Sequence, residues 1–334
     1  MNDKNVNRRQ FLQVSAVAGA TLGLNSFEEN DLHAQTANPK PKLSSSGNSL
    51  PFGQIKDLKI SRLFCGGNLM GGWAHSRDLI YVSELVKSYH TDEKVFDTLE
   101  LAEENGINAV LTNPSSDKVI NRYWKERGGE IQWISDCAYG DTLKEGIKRS
   151  VDSGAHAVYI QGGLADLAVR DGHVNELGNA LNYIKTQRVP GGMGAHDIDT
   201  IKGCVKAEID PDFWVKTIHP DNYWSATPKK NRKPFGVVSP SSSDHDQSHD
   251  NIYCLRPQET INFMKTLKKP WIAFKVMAAG AIHPSAAFKY AFESGADFIC
   301  AGMFDFQVVE DVLIARKVLD NSGLTKKRAR PWMS

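Results

Sequence analysis

A single (β/α)8 TIM barrel is the fold class this sequence predicts, and three observations predict it. The fragments "ENGINAVLTNP", "DSGAHAVYIQGG" and "ESGADFICAGM" share one local logic: a helix ending at a glycine (Gly106, Gly154, Gly295), one or two further residues, then a short apolar run. A helix stopped by a glycine and followed at once by a buried strand is one αβ step. Apolar runs of strand length recur at 62–67, 108–113, 131–137, 157–161, 191–196, 213–219, 271–277 and 297–303, eight in all. Amphipathic stretches such as "EKVFDTLELAEENG", "TLKEGIKRSVDSG", "HVNELGNALNYIKTQ", "PQETINFMKTLKK" and "SAAFKYAFESG" separate them, and "VVEDVLIARKVLDNSG" supplies a last helix. Eight strand–helix units close economically into one barrel. An open doubly wound sheet would not need eight consecutive units, and no GxGxxG follows an early strand.

Composition narrows the function classes. The chain has 334 residues, 41% hydrophobic and 24% charged, with a formal net charge of +1. Such a balance offers no electrostatic case for a nucleic-acid partner or an anionic membrane. Five cysteines (Cys65, Cys137, Cys204, Cys254, Cys300) are scattered without CxxC spacing, which argues against a disulfide framework or a zinc ribbon and for buried thiols.

The N-terminus carries a different signal. "NRRQFLQ" at 7–13 precedes the moderately apolar run "VSAVAGATLGL", too short to span a bilayer as a mature helix. Arg8 and Arg9, followed by Phe11 and Leu12, resemble the twin-arginine export signal, with Asn7 and Gln13 as small departures. That resemblance implies a protein exported already folded, with a cofactor loaded beforehand as one reason, and working in the periplasm or outside the cell. The expected organisation is a signal peptide over 1–37 with cleavage near Ala34 or Ala37, and a polar, Pro/Ser-rich tether over 38–50. The barrel follows over 51–323, then a basic tail, "LTKKRARPWMS", over 324–334.

In such barrels function sits where strands end at their C-terminal side. The first strand end offers Asn68, Trp73, His75, Arg77 and Asp78; the next three offer Asn113, Asp136 and Gln161. The fifth offers His196, the sixth Lys216 and His219 with Asn222, Tyr223 and Trp224 beyond, the seventh Lys275, and Asp305 follows the eighth. Asn68, Trp73, His75, Asn113, Gln161, Asn222 and Trp224 are candidate substrate-binding groups.

Lys216 and Lys275 are the sharpest signals, because each interrupts an otherwise apolar strand. A buried ammonium must reach the mouth or find a partner. On neighbouring strands, the two amines would lower each other's pKa, which is how a Schiff-base nucleophile is made. Class I aldolases hold such a lysine on their sixth strand, an analogy of position. A structural ion pair with a carboxylate such as Asp136 is the competing account. Asp136 and His219 are the candidate acid/base groups. Asp136, His196 and His219 also form a candidate ligand set for zinc, manganese or iron, although no HExxH-type motif backs it.

The connection after the sixth strand runs from 220 to 256, a length typical of a lid or binding loop. It holds "DNYWSATPKKNRKPF", suited to a polar ligand, and "SSSDHDQSHDN", which lacks the ligand spacing of a calcium loop and reads as a lid segment or a solvated loop.

Several fragments resemble the aldo/keto reductase superfamily: "FGQIKDLKISRLFCGGNLMGG" its N-terminal hairpin and first strand, "LAEENGIN" its first helix and turn. "LGNALNYIKTQRVPGGMGAH" and "ADFICAGMFDFQVVEDVLIA" resemble its fourth-helix-to-fifth-strand and last-strand segments. The resemblance implies an NAD(P)-dependent carbonyl reductase with an Asp and Tyr after strand two, a Lys at strand three and a His at strand four. This chain has Thr112-Asn113-Pro114, Asp136 and Gln161 at those ends, which leaves NAD(P) without support from the tetrad positions. The expected function is therefore an exported enzyme for a small polar, sugar-derived carbonyl compound. It would work by isomerase, lyase or hydrolase chemistry, with a divalent metal as an optional electrophile. The expected partners are that substrate and the export machinery. A residual NAD(P)-dependent reductase and a non-catalytic exported ligand-binding barrel are the alternatives.

Overall fold

The computed structural model describes residues 50–75, 80–232 and 253–334. The expected export signal, the expected tether up to residue 49, Arg77, Asp78 and the "SSSDHDQSHDN" stretch lie outside them.

The chain enters as an antiparallel hairpin, β1 (Phe52–Ile55) and β2 (Leu58–Ser61). The first barrel strand, β3 (Leu63–Gly66), leads through α1 (Ile80–Tyr89) to α2 (Asp92–Glu104). Strand–helix units then follow: β4 (Ala109–Thr112) with α3 (Asp117–Arg127), and β5 (Gln132–Ser135) with α4 (Leu143–Asp152). After β6 (Ala157–Ile160) come two helices, α5 (Gly162–Arg170) and α6 (Val174–Thr186). Next are β7 (Gly191–Ala195) with α7 (Ile198–Lys206) and β8 (Phe213–Thr217) with α8 (Pro257–Met264). The last units are β9 (Trp271–Phe274) with α9 (Pro284–Glu293) and β10 (Phe298–Gly302) with α10 (Asp305–Leu319); a single turn, α11 (Leu324–Lys327), follows.

The eight strands β3 to β10 pair in parallel and close in the order β10-β3-β4-β5-β6-β7-β8-β9. Every one lies inside a predicted apolar run, and the glycine stops behave as expected: Gly106, Gly154 and Gly295 have φ of 87°, 91° and 103°. This left-handed backbone ends a helix without the steric penalty a Cβ would add. The barrel interior is apolar, built from Phe64, Ala109, Leu111, Ile134, Ala157, Tyr159, Phe213, Val215, Ile272 and Phe298. Alternate strand residues such as Cys65, Val110, Trp133, Val158, Trp214 and Ala273 face the helices in a second core. Four or five residues per strand suffice, because each side chain is buried on one face or the other.

The floor, at the N-terminal strand ends, is sealed twice. Ile55 and Ile60 of the hairpin join the interior cluster and plug the ring from below. The segment beyond 323, expected as a basic tail, folds back as a second plug. The carboxylate of Asp297, fully buried, accepts from Arg330 Nη2, the Trp271 N–H (2.9 Å) and the Met333 N–H (2.8 Å). Arg328 gives its Nη1 protons to the carbonyls of Phe292 (3.0 Å) and Ala296 (2.7 Å). Trp332 is sandwiched by guanidinium groups, with Arg328 3.4 Å and Arg62 4.2 Å from its ring centre. A buried carboxylate needs cations close by, and Arg328 and Arg330, from the end of the chain, supply them.

Removing one partner of such a cluster strands the other charges without water. Asp297→Ala is expected to cost about 3–5 kcal/mol of stability, the range for breaking a buried ion pair, as measured by urea unfolding.

Candidate active site

Two groups of polar side chains face each other across the mouth. In a ring of eight strands, β5 and β9 lie opposite one another. Asp136 follows β5 and Lys275 follows β9.

Asp136 points inward by strand alternation: Ile134 belongs to the interior, and Ser135 faces out to bond Ser150 of α4 (2.8 Å). Its Oδ1 accepts from the Asn113 amide (3.0 Å) and the Ala138 N–H (3.0 Å). Those two bonds favour the charged form, yet burial outweighs them and pushes the carboxyl up to about 7. Asn113 itself is held by donating to Ala138 O (2.8 Å) and accepting from the Ser115 N–H (2.9 Å). A carboxyl poised near neutrality inside a cleft can give or take a proton at physiological pH.

Opposite stands Lys275, half-buried. Its Nζ is 2.8 Å from His75 Nε2, and Asn68 Nδ2 is also 2.8 Å from that nitrogen. An ammonium can only donate, so Nε2 is the unprotonated, accepting nitrogen of a neutral ring. The Tyr253 ring lies 4.1 Å from Nζ and meets His75 edge-on at 5.6 Å. The ammonium also lowers the pKa of Cys300 on the inner wall of β10, although burial sets that thiol higher overall, up to about 12. Lys275 thus reaches over the ring. The backbone around the mouth is strained: His75, Cys137 and Lys275 have φ of 49°, 50° and 54°. Left-handed non-glycine residues cost of order 1–3 kcal/mol each and gather at functional sites.

The mouth also holds His196, whose ring lies 5.2 Å from that of Phe274. Asp166 of α5, unremarked in the sequence, accepts from the His196 Nδ1 proton (2.9 Å), the His196 N–H (3.0 Å) and Thr200 Oγ1 (2.6 Å).

Several expectations are corrected. Lys216 is not at the mouth. It alternates with Phe213 and Val215 of the interior, pairs in register with Ala195 and Ala273 of the outer core, and is fully buried. Its three protons go to His196 O (2.7 Å), Thr217 O (2.9 Å) and Thr217 Oγ1 (2.9 Å), while burial lowers its pKa. It ties two strand ends together on the side away from Lys275's reach, so the pairing of two mouth lysines fails. His219, expected as acid/base group and ligand, spends both ring nitrogens on backbone. Nδ1 donates to Pro220 O (2.8 Å), and Nε2 accepts from the N–H groups of Tyr253 (3.2 Å) and Cys254 (3.0 Å). Burial holds its pKa near 4, so it is a neutral strut that pins the returning chain. With both ring nitrogens of His219 spent on backbone, the trio of Asp136, His196 and His219 does not assemble, and among the described residues no cluster suits a metal ion.

Gln161 caps α5, accepting from the Leu164 N–H (3.0 Å). Asn222 is exposed and Trp224 is 90% exposed, so neither walls the mouth. Trp73 is half-buried beside Gly71, and Asp305 holds Tyr89 and Lys94 (3.0 Å) at the rim. His196, Tyr253, Cys254, Arg256 and Thr260 line a small cavity of about 10 Å³, room for a single water. Tyr253 and Asp166 were missed by sequence reasoning. Tyr253 closes a long connection with no local motif, but Asp166 had a signal: one acid inside the apolar helix "GGLADLAV".

Among the described residues no helix is long and apolar enough to cross a membrane. No family model matches the chain, and no curated protein matches it in sequence. Solved structures do match the fold. A Pseudomonas aeruginosa structure assigned to the aldo-keto reductases is similar over 81% of this chain and 94% of its own, at 16% identity and a TM-score of 0.53. A truncated 3-deoxy-D-arabino-heptulosonate 7-phosphate synthase from Thermotoga maritima is similar over 82% and 94%, at 11% identity and a TM-score of 0.50. At such identities the likeness is one of fold: a closed eight-stranded parallel barrel of the kind that barrel enzymes share.

Asp136 makes stability depend on pH. With its folded pKa raised from the ordinary carboxylate value to about 7, the native state keeps a proton that the unfolded chain has already lost. Stability therefore falls as pH rises between about 4 and 7, by up to about 1.4 kcal/mol for each pH unit. Asp136→Asn is expected to flatten that slope in urea unfolding measured across the same window.

Proposed function

We propose that this protein is an exported barrel enzyme acting on a small polar carbonyl compound of sugar-fragment size. The observation that carries it is the opposition of the Lys275 ammonium and the Asp136 carboxyl across the mouth of the barrel. Lys275 serves as a fixed electrophile: its proton is aimed at the substrate carbonyl oxygen and strengthens its hold as negative charge develops there. Asp136, partly protonated near pH 7, supplies or accepts a proton on the far side. His75 and Asn68 hold the ammonium in place, and the Tyr253 face supports it.

A nicotinamide cofactor does not fit this set. At the strand ends where the reductase resemblance implies a proton-relaying Lys and His, Asp136 is bonded to Asn113 and Gln161 is spent on a helix cap. No step is therefore routed through hydride transfer. Export rests on the likeness of Arg8-Arg9-Gln10-Phe11-Leu12 to a twin-arginine signal.

Lys275→Met is expected to weaken binding of dihydroxyacetone and related ketoses roughly 10- to 100-fold by calorimetry, the worth of a hydrogen bond to a charged group. Unchanged affinity would remove Lys275 from the site, and a borohydride-trapped adduct on it would make the amine a nucleophile instead. In cell fractionation, changing Arg8 and Arg9 together to Lys is expected to keep the protein in the cytoplasm; continued export would overturn the twin-arginine assignment.

A further inference from the structure

The Asp166–His196 pair is built as a base, and nothing in the function proposed above requires it. Asp166 is 5% exposed, and the partners of its carboxylate are the N–H groups of His196 and Asp197, the Thr200 hydroxyl and the His196 ring. A carboxylate can only accept, so the 2.9 Å contact puts the ring proton on Nδ1 and the lone pair on Nε2. Nε2 makes no hydrogen bond, yet it is not among the polar atoms buried without a partner, so the 6% exposure of His196 includes it. His219, by contrast, spends both nitrogens on backbone. The ring's seat is also specific. A Cβ on Gly162 would lie 3.0 Å from its Cε1 and Nδ1, so glycine there leaves room for it. Its other neighbour is Phe274, the residue before Lys275.

We propose that Asp166 and His196 form the general-base dyad of this site, and that the substrate is a carbonyl compound with an acidic C–H beside the carbonyl, an α-hydroxy ketone or aldehyde. This rests on the carbonyl function assigned to Lys275. The His196 Nε2 lone pair takes the proton from the α-carbon. The C–H electron pair becomes the C=C bond, and the C=O π pair moves onto oxygen, where the Lys275 ammonium donates. The imidazolium is balanced by the Asp166 carboxylate, which keeps the ring in the productive tautomer. Return of the proton to carbon closes the cycle, with no oxidant or reductant consumed. Burial lowers the His196 pKa, so the ring is neutral and ready to accept at neutral pH.

The test has two arms. In the first, the full chain is followed by ¹⁵N NMR and by diethyl pyrocarbonate modification. His196 should show the Nδ1–H tautomer at neutral pH and react at Nε2 faster than His219, and Asp166→Asn should move the proton to Nε2. An Nε2–H tautomer or an unreactive ring in the wild type would overturn the dyad, whatever the substrate. In the second, dihydroxyacetone and hydroxyacetone are incubated in D₂O and their C–H signals followed. Wild type should catalyse exchange, and His196→Gln should lose it by roughly 10²–10⁴-fold with ligand affinity retained. Binding without exchange in the wild type would sink the dyad and leave the carbonyl site standing. Failure of both probes to bind would instead fall on the Lys275 carbonyl site and on this substrate class together.

Discussion

The barrel depends on a carboxylate that has lost all contact with water. Asp297 stands at the start of β10, bonds the first amide of β9, and draws in two arginines from the last residues of the chain. An unpaired charge in that position would cost several kcal/mol, so the chain must deliver its partners before the floor is stable. The C-terminal segment therefore becomes a structural plate, with Trp332 stacked between guanidinium groups.

The same electrostatic rule explains why two lysines in similar strands have different fates. Lys216 turns toward the helices, where water does not reach, and the fold supplies three oxygens for its three protons. Lys275 lies past the end of its strand, where alternation no longer dictates direction, and its backbone bends it over the mouth. One amine is consumed by the fold, and the other reaches over the mouth to His75 and the Tyr253 ring.

Histidines divide in the same way. His219 gives both nitrogens to the backbone and locks the long connection back onto β8. His196 gives one nitrogen to Asp166 and keeps the other accessible. His75 accepts from the ammonium it positions. The chemistry of each ring follows from its partners, and for each ring at least one of them is distant: Asp166, 30 residues from His196; Tyr253 and Cys254, 34 and 35 from His219; and Lys275, 200 from His75.

The sequence by itself determined the architecture. Glycine stops such as Gly154 and Gly295, each followed by an apolar run, are local signals, since helix termination and strand burial act within a few residues. They located all eight barrel strands and, with them, the strand ends where Asp136, His75 and Lys275 are found. What the tertiary structure decided is which way each polar side chain points and what it meets. Lys216 and Lys275 look alike in sequence because a one-residue change of register reverses the face, and no local pattern reports it. The Lys275–His75 contact spans 200 residues, and the Asp297–Arg330 contact joins a strand to a segment that composition alone describes as a basic tail. Such pairings are set by closure of the ring, a global constraint that brings the first and last strands side by side, and they exist only once the whole chain has folded.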